Sequence, residues 1–136
     1  MRLRLLSPKG ILFEGEVSSC VVPGEKGPTY FSTDTTRMLV GLLPSGGLNY
    51  ASAKGGACFA CFGGFARKDG DTLTVASPLM EEGSSIDAAR AEESKRRAEK
   101  RLAEKKEGLD EARARASLAR ALTRLEVKSR SGGSQA

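Results

Sequence analysis

The chain changes composition abruptly near Ser84. All five prolines and all seven aromatic residues lie before this position. The residues up to Ser84 carry eight basic and eight acidic side chains, whereas the later ones carry 14 basic and nine acidic, so the whole net charge of +5 falls on the C-terminal part. We therefore expect two modules with different roles, residues 1–84 and residues 85–128, followed by a flexible tail over residues 129–136.

The first 84 residues show short apolar runs separated by turn residues. Leu3 and Leu5 alternate with charged neighbours, and similar runs recur about every eight to twelve residues, which is typical of a β-sandwich or β-barrel. Asp69-Gly70-Asp71 lies between two such runs and predicts a hairpin, because Asp-Gly accepts the positive φ angles of a type I′ turn. The pattern predicts an all-β domain, with an antiparallel meander as the simplest arrangement.

Beyond Ser84 the apolar residues recur with the period of an α-helix. Ser84-Ser85-Ile86-Asp87 matches a capping box, which predicts a helix from about Ser85 to Lys106. Gly108 interrupts the pattern, and a second helix is predicted from about Leu109 to Val127. Small alanines let helix axes approach closely, so these segments are expected to form an antiparallel hairpin with a narrow apolar seam.

Several classes of function are disfavoured by what the sequence contains. Histidine is absent, which removes the usual general base near neutral pH and the commonest zinc ligand. Cys58 and Cys61 have CxxC spacing, but strand alternation sends them to opposite faces, so these thiols and Cys20 are expected to be reduced and structural. The glycine pairs match no phosphate-binding loop. No apolar run approaches the roughly 20 residues of a membrane span, and no secretory signal is recognisable.

Arginines of the two predicted helices form a more specific arrangement. Asp87, Arg90 and Arg97 share one face of the first helix, and Arg120 and Arg124 share one face of the second. In an antiparallel hairpin, Arg97 would lie near Arg120, and Arg90 near Arg124. Two interpretations remain open. Either the guanidinium groups converge on phosphate oxygens, which they bind bidentately, or they turn outward and pair with neighbouring glutamates.

The basic helical module also suggests an anionic macromolecule as a partner, because Lys and Arg neutralise phosphates. Glutamates are interleaved with the basic residues, however, and no aromatic residue follows Phe65, which disfavours nucleic acid. The alternative interpretation is thus a stand-alone β-sandwich module whose basic helical hairpin binds an anionic partner such as nucleic acid.

Motifs distributed along nearly the whole chain carry a family resemblance. They are residues 5–17 (LLSPKGILFEGEV), 22–27 (VPGEKG), 43–46 (LPSG), 62–65 (FGGF), 73–75 (LTV), 86–91 (IDAARA) and 120–125 (RALTRL). Each motif alone is weak, but their combined order is specific. In this order they resemble the epsilon subunit of the F-type ATP synthase.

The resemblance implies a ten-stranded N-terminal β-sandwich and a C-terminal antiparallel two-helix hairpin. It implies a non-catalytic rotor subunit of the central stalk, whose sandwich binds the gamma subunit and the c ring and couples the catalytic head to that ring. The helices would extend toward the alpha and beta subunits and inhibit ATP hydrolysis. The chain would lie at the cytoplasmic face of the bacterial plasma membrane, held by the complex, without inserting into lipid, binding nucleic acid or requiring a cofactor or metal.

In several bacterial members of this family the folded hairpin binds ATP. The positions of this chain that match the family's site are Glu81, Ile86, Asp87, Arg90, Ala91, Arg97, Arg120 and Arg124. The resemblance therefore implies ATP as a regulatory ligand that bridges arginines, stabilises the folded hairpin and disfavours the extended, inhibitory form.

Residues 30–37 depart from the family pattern. Family members commonly carry a Gly-Ile-Leu-Pro-Gly-His-Ala-Pro-like loop here, which helps to contact the c ring. This chain reads Tyr-Phe-Ser-Thr-Asp-Thr-Thr-Arg instead. The resemblance therefore does not extend to the geometry of that contact.

Overall fold

The computed structural model describes residues 1–104 and 106–133, which form ten β-strands, one short 3-10 helix and two α-helices. The strands are β1 (Arg2–Ser7), β2 (Gly10–Glu16), β3 (Ser19–Gly24), β4 (Gly27–Ser32), β5 (Met38–Gly41), β6 (Gly46–Ser52), β7 (Gly55–Cys61), β8 (Phe65–Asp69), β9 (Thr72–Ala76) and β10 (Met80–Glu82). The 3-10 helix (Gly83–Ser85), α1 (Ala88–Glu104) and α2 (Glu111–Gly133) follow. The predicted fold, a ten-stranded β-sandwich followed by a two-helix hairpin, is confirmed.

The described strands form two five-stranded sheets, ordered β2-β1-β9-β8-β5 and β10-β7-β6-β3-β4. Strand β1 pairs antiparallel with β2 but parallel with β9, with Leu3 opposite Leu73 and Leu5 opposite Val75. The prediction of a simple antiparallel meander is therefore wrong. The parallel pairing lets the inward-facing leucines of β1 share the core with Leu73 and Val75 of β9.

The main core lies between the sheets and follows from the alternation read in the sequence. Leu3 and Leu5 are completely buried, whereas Arg2 and Arg4 on the other face pair with Glu14 of β2. The hairpin predicted at Asp69–Asp71 is confirmed, because Gly70 has a φ of 60° and joins the paired strands β8 and β9.

Helix α1 begins later than the capping box predicted. Ser84 lies within the 3-10 helix, and Ile86 has extended backbone angles, so the chain cannot become helical before this point. Asp87 provides the cap instead, with its Oδ1 accepting a hydrogen bond from the Arg90 N–H at 3.1 Å. Asp110 caps α2 in the same way, through the Arg113 N–H at 3.1 Å.

Alanines form the seam between the two helices, as predicted. Ala91 and Ala98 of α1 and Ala114 and Ala121 of α2 are all buried, and Gly108 turns the chain between the helices with a φ of 84°. Leu122 of α2 lies outside this seam and is 45% exposed. The seam buries little apolar surface, so the hairpin depends on further contacts with the sandwich.

Helix α2 extends beyond the predicted boundary. It continues to Gly133, so residues 129–133 are helical where a flexible tail was predicted; residues 134–136 of that tail lie outside the described part. Arg130 pairs with Glu126 at 2.7 Å, and the Lys128 ammonium donates to the Ser84 carbonyl at 3.0 Å. Packing against the sandwich thus outweighs the low helix propensity of the Ser- and Gly-rich end.

Candidate functional site

Helix α2 packs on the outer face of the second sheet. Side chains of β7 alternate, so Ala60 faces outward and joins Phe62, Ile86 and Val127 in a small buried group, against which Cys58 packs. We call these five residues the docking cluster. It is separate from the core between the sheets, and it holds the hairpin in a folded position against the sandwich.

The three cysteines are free thiols in two environments. Cys20 and Cys61 are buried in the main core, whereas Cys58 is half-buried in the docking cluster, so the prediction that Cys58 and Cys61 lie on opposite faces is confirmed. Burial, reinforced by the neighbouring Cys61, raises the pKa of Cys20 to about 12. Burial also raises the pKa of Cys61. Both core thiols are therefore poor nucleophiles.

We expect the three thiols to react at different rates in the native chain. At pH 8 a thiol with a pKa near 12 is ionised to only about one part in 10⁴, so Cys20 should resist a thiol-specific reagent, and Cys61 should be protected by burial. Cys58 should react first. Mass spectrometry of the labelled peptides measures this, and equal labelling of all three thiols without denaturant would contradict the assignment.

A polar contact beside the docking cluster joins α2 to the end of the sandwich. Arg124 Nε lies 2.6 Å from Glu81 Oε1, and Nη2 lies 3.3 Å from Oε2, so the guanidinium binds the carboxylate with two nitrogens. The Arg124 guanidinium carbon also lies 4.8 Å from the centroid of the Phe62 ring. We call Glu81, Arg124 and Phe62 the latch. Charge-assisted hydrogen bonds of this kind contribute about 1.5–3 kcal/mol where they are partly shielded from water.

A cavity of about 450 Å³ opens next to the latch, between the start of α1 and the side of α2. Its lining is formed by Glu81, Ser85, Ile86, Asp87, Arg90, Ala91, Ser94 and Arg124. Arg90 makes no ion pair within the described part of the chain, whereas Ile86 and Ala91 provide an apolar surface. The lining carries two guanidinium groups and two carboxylates, and Glu81 already holds Arg124. The free guanidinium of Arg90, the hydroxyl groups and the small apolar wall suit a ligand with both an anionic and an apolar part.

The structure brings together six of the eight residues that the sequence singled out. Arg97 and Arg120 lie outside this lining: Arg97 pairs with Glu93 at 3.6 Å, and Arg120 donates to the Ser117 hydroxyl at 3.2 Å. Of the two interpretations of the arginines, pairing with a glutamate thus applies to Arg97 and, through Glu81, to Arg124. Arg90 lies in the cavity lining and has no ion pair among the described residues.

Two lining residues were missed by the sequence analysis, Ser85 and Ser94. Ser94 lies one helical turn beyond Arg90, so the helical spacing that selected Arg90 could also have selected this serine. Within residues 1–104 and 106–133, no three cysteine or acidic side chains are grouped to hold a metal ion. In the same part of the chain, no helix is both long enough and apolar enough to cross a bilayer.

Comparison with known proteins decides the family. The family described as the beta-sandwich domain of the ATP synthase delta/epsilon chain matches residues 1–83, and the corresponding long alpha-helix domain matches residues 84–129. The chain belongs to the epsilon-chain family of F-type ATP synthases. It is 34% identical to the ATP synthase epsilon chain of Syntrophobacter fumaroxidans over 131 residues, covering 96% of this chain and 97% of that one. The identity to the epsilon chain of Pelotomaculum thermopropionicum is 39% over 127 residues, covering 93% of each.

Chains in solved structures of ATP synthases share the fold at lower identity. The chain superposes with a TM-score of 0.69 and 17% identity on a chain of the Euglena gracilis mitochondrial ATP synthase, covering 98% of this chain and 80% of that one. A chain in the central stalk and c-ring structure of the Tetrahymena thermophila mitochondrial ATP synthase gives a TM-score of 0.57 at 15% identity, covering 96% and 94%. These likenesses concern the arrangement of sandwich and helices.

Proposed function

We propose that the chain is the central-stalk epsilon subunit of a proton-translocating ATP synthase and has no active site of its own. In this role the sandwich binds the gamma subunit and the c ring, and the chain is held at the cytoplasmic face of the bacterial plasma membrane by the complex. Support comes from the epsilon-chain relatives, which match over nearly their whole length, and from the central-stalk and c-ring assembly named for the Tetrahymena structure.

The observation that carries the regulatory part of the proposal is the small contact between hairpin and sandwich. Among the described residues, α2 is held in place by the docking cluster, the latch, a few contacts near Ser84 and the close approach of Gly47 and Gly83, while the hairpin seam consists of alanines. A contact of this size lets two arrangements differ by a few kcal/mol. In the extended arrangement the helices reach the alpha and beta subunits and inhibit ATP hydrolysis.

ATP is the proposed ligand of the cavity beside the latch. Arg90 of α1 supplies a charge-assisted donor for phosphate oxygens, and Arg124 of α2 supplies a second one through the guanidinium N–H groups that do not bind Glu81. A ligand that contacts both α1 and α2 binds the folded hairpin and loses these contacts on extension. ATP therefore shifts the population toward the folded form and relieves inhibition.

Adding the full chain to an ATP synthase complex depleted of its epsilon subunit is expected to lower ATP hydrolysis severalfold and to restore proton pumping. The first effect tests inhibition, and the second tests coupling through the stalk. Rates are measured by phosphate release and by acidification of sealed vesicles. A chain that fails to bind the depleted complex would contradict the assignment to the stalk, whereas binding without inhibition would contradict only the regulatory role.

A further inference from the structure

Lys68 is a charged residue inside the sandwich. Along β8, Ala66 and Lys68 point inward while their neighbours are exposed, and Lys68 is 0% exposed. Removing an ammonium group from water costs several kcal/mol unless hydrogen bonds compensate. A lysine at this position is therefore expected to form hydrogen bonds that replace those to water.

The Lys68 ammonium binds the backbone of the segment between β4 and β5, residues 33–37. Its Nζ donates to the Thr35 carbonyl at 2.9 Å and lies 3.5 Å from the Thr33 carbonyl. The segment is also closed on itself, because the Ser32 N–H donates to Thr35 Oγ1 at 2.8 Å and the Thr35 N–H donates to the Ser32 carbonyl at 3.1 Å. It contains no proline, so its shape depends on these contacts.

The same segment presents its side chains to the outside. Asp34, Thr36 and Arg37 are exposed, and the large apolar residues on either side, Tyr30 and Leu39, are 61% and 68% exposed. An exposed surface with apolar residues beside charged ones, on a loop held by a rigid sandwich, has the features of an interaction surface. The buried ammonium thus binds the backbone of a segment most of whose side chains are exposed.

We propose that Lys68 is a positioning residue whose buried ammonium fixes residues 33–37 in the shape that docks on the c ring. The proposal rests on the proposed stalk function, since that function supplies the ring as the partner. It assigns the role to Lys68 because substituting Lys68 removes the donor that binds the Thr33 and Thr35 carbonyls. Carbonyls of a largely exposed segment regain hydrogen bonds from water when the segment moves, so the loss affects the order of residues 33–37 first. Global stability and loop order can therefore be separated.

Lys68→Met tests the proposal, because methionine has a similar length and no donor. Trypsin is expected to cleave after Arg37 at least tenfold faster in the variant, while cleavage after the exposed Lys54 and the midpoint of thermal unfolding stay near the parent values. Binding of the full variant to the epsilon-depleted complex is expected to weaken at least tenfold. An unchanged cleavage rate at Arg37 would overturn the positioning role.

Thr35→Val provides a second variant, in case Lys68→Met destabilises the whole sandwich. It removes the Oγ1 that accepts a hydrogen bond from the Ser32 N–H but changes no residue of the core. Residues 33–37 therefore become less ordered while Lys68 remains in place. Faster cleavage at Arg37 with weaker binding to the complex supports the proposal. Faster cleavage with parental binding would overturn the link to docking. If the parent chain itself does not bind the complex, the stalk function fails, and cleavage at Arg37 still decides whether Lys68 orders the segment.

Discussion

Gly83→Ala is expected to release α2 from the sandwich. A Cβ atom at this position would overlap the Ser131 hydroxyl and lie 3.0 Å from Val127 Cγ1, both on α2. Gly83 does not have a positive φ, so alanine fits the backbone and the cost arises from the overlap alone. Overpacking of this kind costs about 1–3 kcal/mol, which corresponds to a shift of roughly 5- to 150-fold in the ratio of docked to undocked hairpin.

The half-buried thiol of Cys58 reports this release, because it packs in the docking cluster. Its labelling rate follows the undocked population and should rise roughly tenfold or more in Gly83→Ala. Gly47→Ala is the matched control: its Cβ would lie 3.3 Å from Val127 Cγ2, a contact that small shifts relieve. Adding Ser131→Gly to Gly83→Ala should restore slow labelling. Parental labelling in Gly83→Ala would show that α2 does not depend on this close approach.

The elements of the fold could be predicted because their signals are local. The alternation of Leu3 and Leu5 with arginines, the Asp-Gly turn at Gly70 and the alanines of the helices each follow from neighbouring residues. The parallel pairing of β1 with β9 could not be predicted, because it joins residues about 70 positions apart and leaves no trace in the local period. The late start of α1 was missed for a related reason: the docking of Ile86 requires an extended residue.

The residues of the candidate site also divide into those that local spacing could predict and those that it could not. Asp87, Arg90 and Ala91 share a face set by helical spacing alone, so the sequence could place them together. Whether Arg97 joins them depends on its competition with Glu93 one turn earlier, which only the packed structure resolves. Lys68 could be recognised as a charge at an inward position of β8. Its hydrogen-bond acceptors could not be predicted, because they lie more than 30 residues away in the chain.

ATP titrated calorimetrically into the full chain is expected to show saturable binding that the double variant Arg90→Ala/Arg124→Ala loses. Both guanidinium groups line the cavity, and each charge-assisted contact with phosphate contributes about 1.5–3 kcal/mol. Losing one of them weakens binding by roughly 10- to 150-fold, and losing both removes measurable heat. Arg90→Ala alone should therefore already weaken binding at least tenfold.

The single variant Arg90→Ala separates the effect on ligand binding from the effect on docking of the hairpin. Arg124→Ala also breaks the latch, whereas Arg90 is exposed and makes no ion pair among the described residues, so Arg90→Ala should leave the Cys58 labelling rate unchanged. Arg97→Ala/Arg120→Ala is the matched control, because it removes the same charge outside the cavity lining and should reduce affinity much less. Equal losses in the two double variants would mean that phosphate is held by the net charge of the hairpin. If ATP releases no heat of binding with the parent chain, Arg124 is only a structural partner of Glu81. The hairpin then responds to a signal other than ATP.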